Sequence, residues 1–212
     1  MLLARMVGTT GRVLGLDIDK IALQIATQES RDAGLAQVEF RESDACAIDA
    51  GNDNDIVYSR FLLSHVPQPL KAIDSMRAAL GASGTIIIED IDFHGHFCFP
   101  HNATFDEYVK LFQMTARARG ADPEIGPKLP GMLATAGFKD ISVRVAQPAA
   151  IAGETKAINA LTLDAIGQSA ITCGFATEVQ IDRLSRELWR LAHDLETLMS
   201  IARVIQITAR KC

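Results

Sequence analysis

The four cysteines of this 212-residue chain, Cys46, Cys98, Cys173 and Cys212, form no CxxC pair and follow no zinc-like spacing. No disulfide framework is therefore expected, and four free thiols in a reducing cytoplasm are. Long apolar runs are missing as well, so membrane insertion is not expected. The N-terminus carries Arg5 but no extended apolar segment ending at a small-residue cleavage site, and no signal peptide is read. Basic residues are the minority, with 21 Lys and Arg against 26 Asp and Glu, and the net charge is -5. That balance lacks the sequence-wide basic footprint of a nucleic-acid-binding protein. Internal repeats and low-complexity tracts are also missing.

What is present is material for a core. Hydrophobic residues make up 48% of the chain, enough for one domain or a domain with a small subdomain. LLARMV (2–7) reads as the last turns of a helix that ends at Gly8. RVLGLD (12–17) reads as a short buried strand. Asp19 can cap a helix over about 20–33, with Ile21, Leu23, Ile25 and Ala26 as its apolar residues. VEFRE (38–42) and DIVYS (55–59) are further strands, and Pro67 and Pro69 introduce an amphipathic helix. GASG (81–84) reads as a turn, and TIIIEDI (85–91) is the most strand-like run. Nearly apolar strands alternating with helices argue a parallel sheet covered on both faces.

The second half changes character. A loop over 92–102 leads to a helix near 104–119 with Phe105, Tyr108, Val109, Phe112 and Ala116 on one face. A Pro/Gly-rich connection, a short helix in GMLATAGF and an alternating strand ISVRVAQ (141–147) follow. Residues 155–199 are helical in composition, with Leu184, Leu188, Leu191 and Leu195 at helical spacing, and ARVIQITAR (202–210) is a last strand. In the loop, Asp92, His94, His96 and Cys98 alternate and are ligand types for zinc or iron, but all come from one segment and match no usual signature, so no metal is assigned.

The order of these pieces resembles a class I S-adenosylmethionine-dependent methyltransferase, of the small-molecule kind similar to quinone-biosynthesis methyltransferases. The resemblance rests on a strand ending in Asp17, a strand followed by Ser43-Asp44-Ala45, and the run DIVYSRFLLSHVPQPLKAIDSMRAALGASGTIIIEDID. It covers roughly 1–147 and, more weakly, 200–210. It implies an α/β, Rossmann-like doubly wound, mostly parallel sheet with an antiparallel edge strand, about six strands in all. Residues 1–150 would form the core, 151–200 a helical insertion serving as lid or dimer contact, and 201–212 the closing strand.

The resemblance also implies a site. Open parallel sheets bind ligands beyond the carboxyl ends of their strands. Asp17 would accept hydrogen bonds from the ribose hydroxyls of S-adenosylmethionine, unless it serves only as a helix cap. Asp44 would sit by the adenine amino group with Ala45 leaving room for the ring, or be an ordinary loop acid; Ile18 would cover the adenine or pack in the core. Ser59, Arg60 and Phe61 would line the channel where the methyl meets its acceptor. His65 would act as a base, or cap the turn at Pro67. Asp92, with Asp90 as an alternative, and His96 and Lys128 would face the acceptor.

One departure stands out against the resemblance. The family's first strand and its Gly-x-Gly loop, whose backbone and following helix bind the methionyl part, have no counterpart before RVLGLD. The chain is therefore expected to bind S-adenosylmethionine weakly or not at all, and an added upstream segment to restore binding. The competing functions are a non-catalytic remnant that binds or dimerises and, from the acid after the second strand, an NAD-dependent dehydrogenase.

Overall fold

The computed structural model describes residues 2–212. Its N-terminal part is α1 (Leu2–Val7), β1 (Val13–Asp17), α2 (Lys20–Asp32) and β2 (Val38–Glu42). Then come β3 (Asn54–Arg60), α3 (Pro69–Ala79), β4 (Leu80–Asp92), β5 (Cys98–Phe99) and α4 (Ala103–Ala118). The remainder is α5 (Leu129–Thr135), β6 (Phe138–Ala146), β7 (Ala149–Ala150), α6 (Glu154–Thr172), α7 (Glu178–His193), β8 (Leu198–Ser200) and β9 (Arg203–Lys211).

The long strands run as their apolar pattern suggests but do not make one sheet. β1 pairs with β2 in parallel, and β3, β4, β9 and β6 form a separate four-stranded sheet in that order. β3 and β4 are parallel neighbours, while β9 runs antiparallel to both β4 and β6. The antiparallel strand is thus interior, and β6 takes the edge. The sheet divides between β1 and β3. An opening of about 780 Å³ lies there, lined by Arg12, Val13 and Leu14 on one side and Asn54, Asp55 and Ile56 on the other. Each of these strands has a neighbour on one side only, so the ladder groups of its other edge have no strand to bond. Both strands present their amino halves to the opening, so the two pairs run the same way and their carboxyl ends share an edge.

Burial follows this division. One face of the four-stranded sheet packs on α3 and α5 through Leu63, Ile73, Leu80, Ile86, Ile88, Leu129, Leu133 and Ile207, all nearly inaccessible. Each such side chain contributes about 1.5–3 kcal/mol of transfer free energy. Gly126 brings a 3-10 turn (Gly126–Lys128) against this sheet, since a Cβ there would lie 2.9 Å from the Ile91 carbonyl oxygen and 2.6 Å from Ile205. By contrast Ile18, Ile21 and Ile25 of the β1–α2 segment and Ile56 and Tyr58 of β3 are exposed. GASG extends β4 as an irregular stretch: Leu80 pairs with Asn54 and Thr85 with Ile56, so the residues between bulge out of register.

A second core joins α4, α6 and α7 with the short sheet β5–β8–β7. Leu184, Leu188 and Leu191 enter it, but Leu195 lies beyond the end of α7 and is exposed. The 155–199 segment is thus two helices followed by a strand; β8 pairs with both β5 and β7 there, which supplies the non-local pairing that composition does not show. Lys156 is fully buried at the start of α6. Its Nζ donates to the carbonyl oxygens of Asp194 at 2.6 Å and Thr197 at 3.0 Å, and to Thr197 Oγ1 at 2.7 Å. A fourth bond reaches the Ile151 carbonyl at 3.2 Å. Burial pulls its pKa down and Asp194 opposes that. Four oxygens around one nitrogen suit the ammonium, which has three hydrogens to donate where the amine has two.

His96 stands in the same core, its ring 4.0 Å from that of Phe93 and near Phe105 and Tyr108. Burial lowers its pKa to about 4, against the opposing bond from Nδ1 to the Phe93 carbonyl. Lys156→Met should lower the unfolding free energy by about 2–4 kcal/mol, because the carbonyls after α7 lose their donor; denaturant titration measures this. A folded pKa below the unfolded value means that the unfolded state binds more protons between about pH 4 and 6.5. Stability should therefore fall on acidification through that window, by up to about 3 kcal/mol, and stay level above it. Replacing the ring by His96→Phe should remove that part of the slope in urea melts at pH 4.5 and 7.

Candidate functional site

Asp17 ends β1, and β2 beside it pairs through Asp17 with Glu42. Ser43 N then donates to the Asp17 carbonyl at 2.9 Å, which sets the turn carrying Asp44 and Ala45 next to Asp17. Both acids are exposed on this edge, and Ala45 is half-buried. Asp19, not Asp17, caps α2: its Oδ1 accepts from Ile21 N at 2.8 Å and Ala22 N at 3.3 Å. Asp17 Oδ1 accepts from Asp19 N at 2.9 Å, and Oδ2 has no hydrogen bond among the described residues. Asp44 is arranged alike, with Oδ1 accepting from Cys46 N at 2.8 Å. Two exposed carboxylates, each tied by one oxygen, thus face solvent side by side. Ile18 next to them is 70% exposed, which removes it from the core and leaves it available to a ligand.

The carboxyl end of β3 carries Ser59, Arg60 and Phe61. Ser59 is buried, and its hydroxyl has no partner among the described residues. Arg60 Nε lies 3.4 Å from Glu89 Oε2, and its guanidinium stacks over the Phe61 ring at 4.7 Å. Glu89 also accepts from Tyr58 at 3.0 Å and from Gln206 at 2.6 Å, so the β3, β4 and β9 side chains are linked across one face of the sheet. Phe61 adopts φ +52°, uncommon for an aromatic residue, while its N–H bonds to the Glu89 carbonyl at 2.9 Å. His65 ends the following 3-10 turn (Leu63–His65) and is exposed.

The residues assigned to the acceptor side are dispersed. Asp92 is buried at the end of β4; it accepts from His94 N at 3.1 Å and lies 3.7 Å from Arg203. His96 belongs to the aromatic core of the helical unit. Lys128 is paired with Asp122, whose N–H bonds to the Ser64 carbonyl at 2.8 Å, so this ion pair borders the loop after β3. Phe93–Gly95 is a 3-10 turn, so the Asp92–Cys98 segment is not extended and its polar side chains do not share a face. Among the described residues no group of three or more His, Cys, Asp or Glu side chains gathers where it could hold a metal. Asp90, the alternative to Asp92 on the acceptor side, is turned inward: it is a buried acid in the middle of an apolar strand, bonded to three backbone N–H groups.

Comparison with known proteins identifies the family and the fold. A family model described as a methyltransferase domain matches residues 1–128. Demethylmenaquinone methyltransferase of Bacillus subtilis is 25% identical over 143 residues, 64% of this chain and 61% of that protein. The chain spans between 36% and 66% of the curated relatives it matches. Among solved structures, a methyltransferase from Bacillus halodurans superposes with a TM-score of 0.61 at 18% identity, over 94% of this chain and 83% of that one. Phosphoethanolamine N-methyltransferase 2 of Haemonchus contortus, in complex with S-adenosyl-L-methionine, gives 0.53 at 21% identity over 94% and 43%. The fold is therefore that of the α/β methyltransferases, and the chain belongs to the methyltransferase domain family.

Proposed function

We propose that the chain holds S-adenosylmethionine along the shared carboxyl edge and directs methyl transfer to a small-molecule acceptor such as a quinone. The carrying observation is the pair Asp17 and Asp44, adjacent, exposed and half-engaged at the ends of two parallel strands. An acid with a free oxygen suits a ribose diol, and α2 is already capped without it. When bound, the cofactor supplies an electrophilic methyl on a sulfonium. The side chains hold and exclude: Asp17 takes the ribose hydroxyls, Asp44 the adenine amino group beside Ala45, and Ile18 covers the adenine face. Ser59, Arg60 and Phe61 border the methyl, where in-line placement matters more than strong acid or base chemistry. His65 is free to take a proton from the acceptor, and Lys128, paired with Asp122 beside the loop after β3, borders the acceptor side, while Asp92 and His96 serve packing instead. The demethylmenaquinone relative suggests the acceptor class. Helices α6 and α7 serve as a cover or as the contact of a homodimer, and the four unpaired cysteines suit a reducing cytoplasm. No helix among the described residues is long and apolar enough to cross a membrane.

The opening between β1 and β3 sets the affinity. A strand there, turning into α1 through glycines, would present backbone donors to the methionyl carboxylate; charge-assisted bonds of that kind contribute about 1.5–3 kcal/mol each. Two of them amount to a hundredfold or more, at about 1.4 kcal/mol per factor of ten. Calorimetry with S-adenosylhomocysteine should therefore show binding by the 212-residue chain on the order of a hundredfold weaker than by a version extended at its N-terminus with an apolar strand and a Gly-x-Gly turn. Asp17→Asn should cost the extended version roughly a further tenfold. Equal binding by both versions would show that the opening does not matter, and binding by neither would favour a non-catalytic remnant.

A further inference from the structure

We propose that Asp90 is a positioning residue, which holds the Phe61–His65 loop over the carboxyl edge in its one productive conformation. Asp90 is fully buried in β4, beneath that loop. Its Oδ2 accepts from Leu63 N at 2.8 Å and Ser64 N at 3.3 Å, and its Oδ1 from Ile91 N at 2.9 Å. It therefore supplies the first two amides of the 3-10 turn with an acceptor that no side chain of the turn provides. A buried carboxylate without a cationic partner is stable only where such N–H groups surround it.

The consequence reaches Phe61. Its left-handed backbone persists only because the chain on both sides is tied down. On one side Phe61 N is bonded to Glu89 O, one residue before Asp90. On the other, Leu63 is sunk in the core and bonded to Asp90 itself. Ser64 O then takes the N–H of Asp122, which secures the far end. Releasing the Asp90 bonds lets Phe61 relax to ordinary φ, and its ring leaves the place where Arg60 stacks on it. Ser59 and Ser64, before and within the loop, are buried with hydroxyls that have no partner among the described residues, so the loop is held through its backbone groups, to Asp90, Glu89 and Asp122, and not through its own hydroxyls.

The role rests on the proposed cofactor reading, and the test separates the two. Asp90→Asn keeps the volume but replaces one acceptor oxygen by a donor. Amide hydrogen exchange and an NMR titration with S-adenosylhomocysteine, which reads millimolar affinities, are run on the variant and on the unaltered 212-residue chain. Exchange at Leu63 and Ser64 should quicken at least tenfold while β4 and β9 amides keep their protection, and affinity should drop about tenfold. A merely structural acid would instead loosen β4 and β9 together with the loop, which overturns the proposal. So does unchanged loop exchange, or a loosened loop with unchanged affinity. If neither the unaltered chain nor its N-terminally extended version shows binding at any concentration, the cofactor reading fails, and the positioning role falls with it. Should Asp90→Asn not fold, through-bond couplings from the Leu63 and Ser64 amides to the Asp90 carboxyl carbon decide. They must be present in the unaltered chain, and these two amides must shift on adding the ligand; the lack of either refutes the role.

Discussion

Strand β4 is hydrogen-bonded along both edges, to β3 in parallel and to β9 in antiparallel register, and the rest of the molecule depends on that ladder. Its inward side chains, Ile86 and Ile88, anchor the main core under α3 and α5. Its polar end organises the site. Glu89 ties β3 to β9 on the outer face, Asp90 holds the loop after β3, and Asp92 caps the turn that leads toward the helical unit. A change in β4 would move all three at once. Residues that follow β3 are therefore placed by the acids of the neighbouring strand more than by their own local preferences.

The β1–β2 pair lacks an equivalent ladder. It is joined to the rest across an opening, its helices bury little, and its two acids are set by local turns. The half of the site proposed for the nucleoside is thus locally built, and the half proposed for the acceptor is built by long-range pairing. Stability should be distributed unevenly in consequence, with the first fifty or so residues opening more readily than the β4 ladder.

Much of this was legible in the residues. Strand-like segments of five to seven residues marked β1, β3 and β4, and acids at or just after strand ends marked Asp17 and Asp44. Asp19 was readable as the cap because it precedes the helix by one residue. What failed depended on distant partners. A strand pattern says that a segment wants neighbours, not whether a neighbour exists, so the division between β1 and β3 was legible only from the strand order of the resembled family and not from the residues of GRVLGLD. His96 looked available for chemistry because it lies in a loop, yet α4 folds Phe105 and Tyr108 against it. Asp90 looked like a ligand-facing acid because strands rarely bury one. Its three N–H partners belong to Leu63, Ser64 and Ile91, two of them on another segment. Leu195 kept helical spacing past the point where Asp194 turns the chain.

The central claim is that the exposed acids at the ends of β1 and β2 form the nucleoside half of the site. A crystal structure with S-adenosylhomocysteine bound tests it most directly. The account predicts the ribose hydroxyls within hydrogen-bonding distance of the Asp17 carboxylate and the adenine beside Asp44 and Ala45, with Ile18 on its face. A nucleoside bound elsewhere, in the opening lined by Arg12 and Asp55 or among the helices, would contradict it.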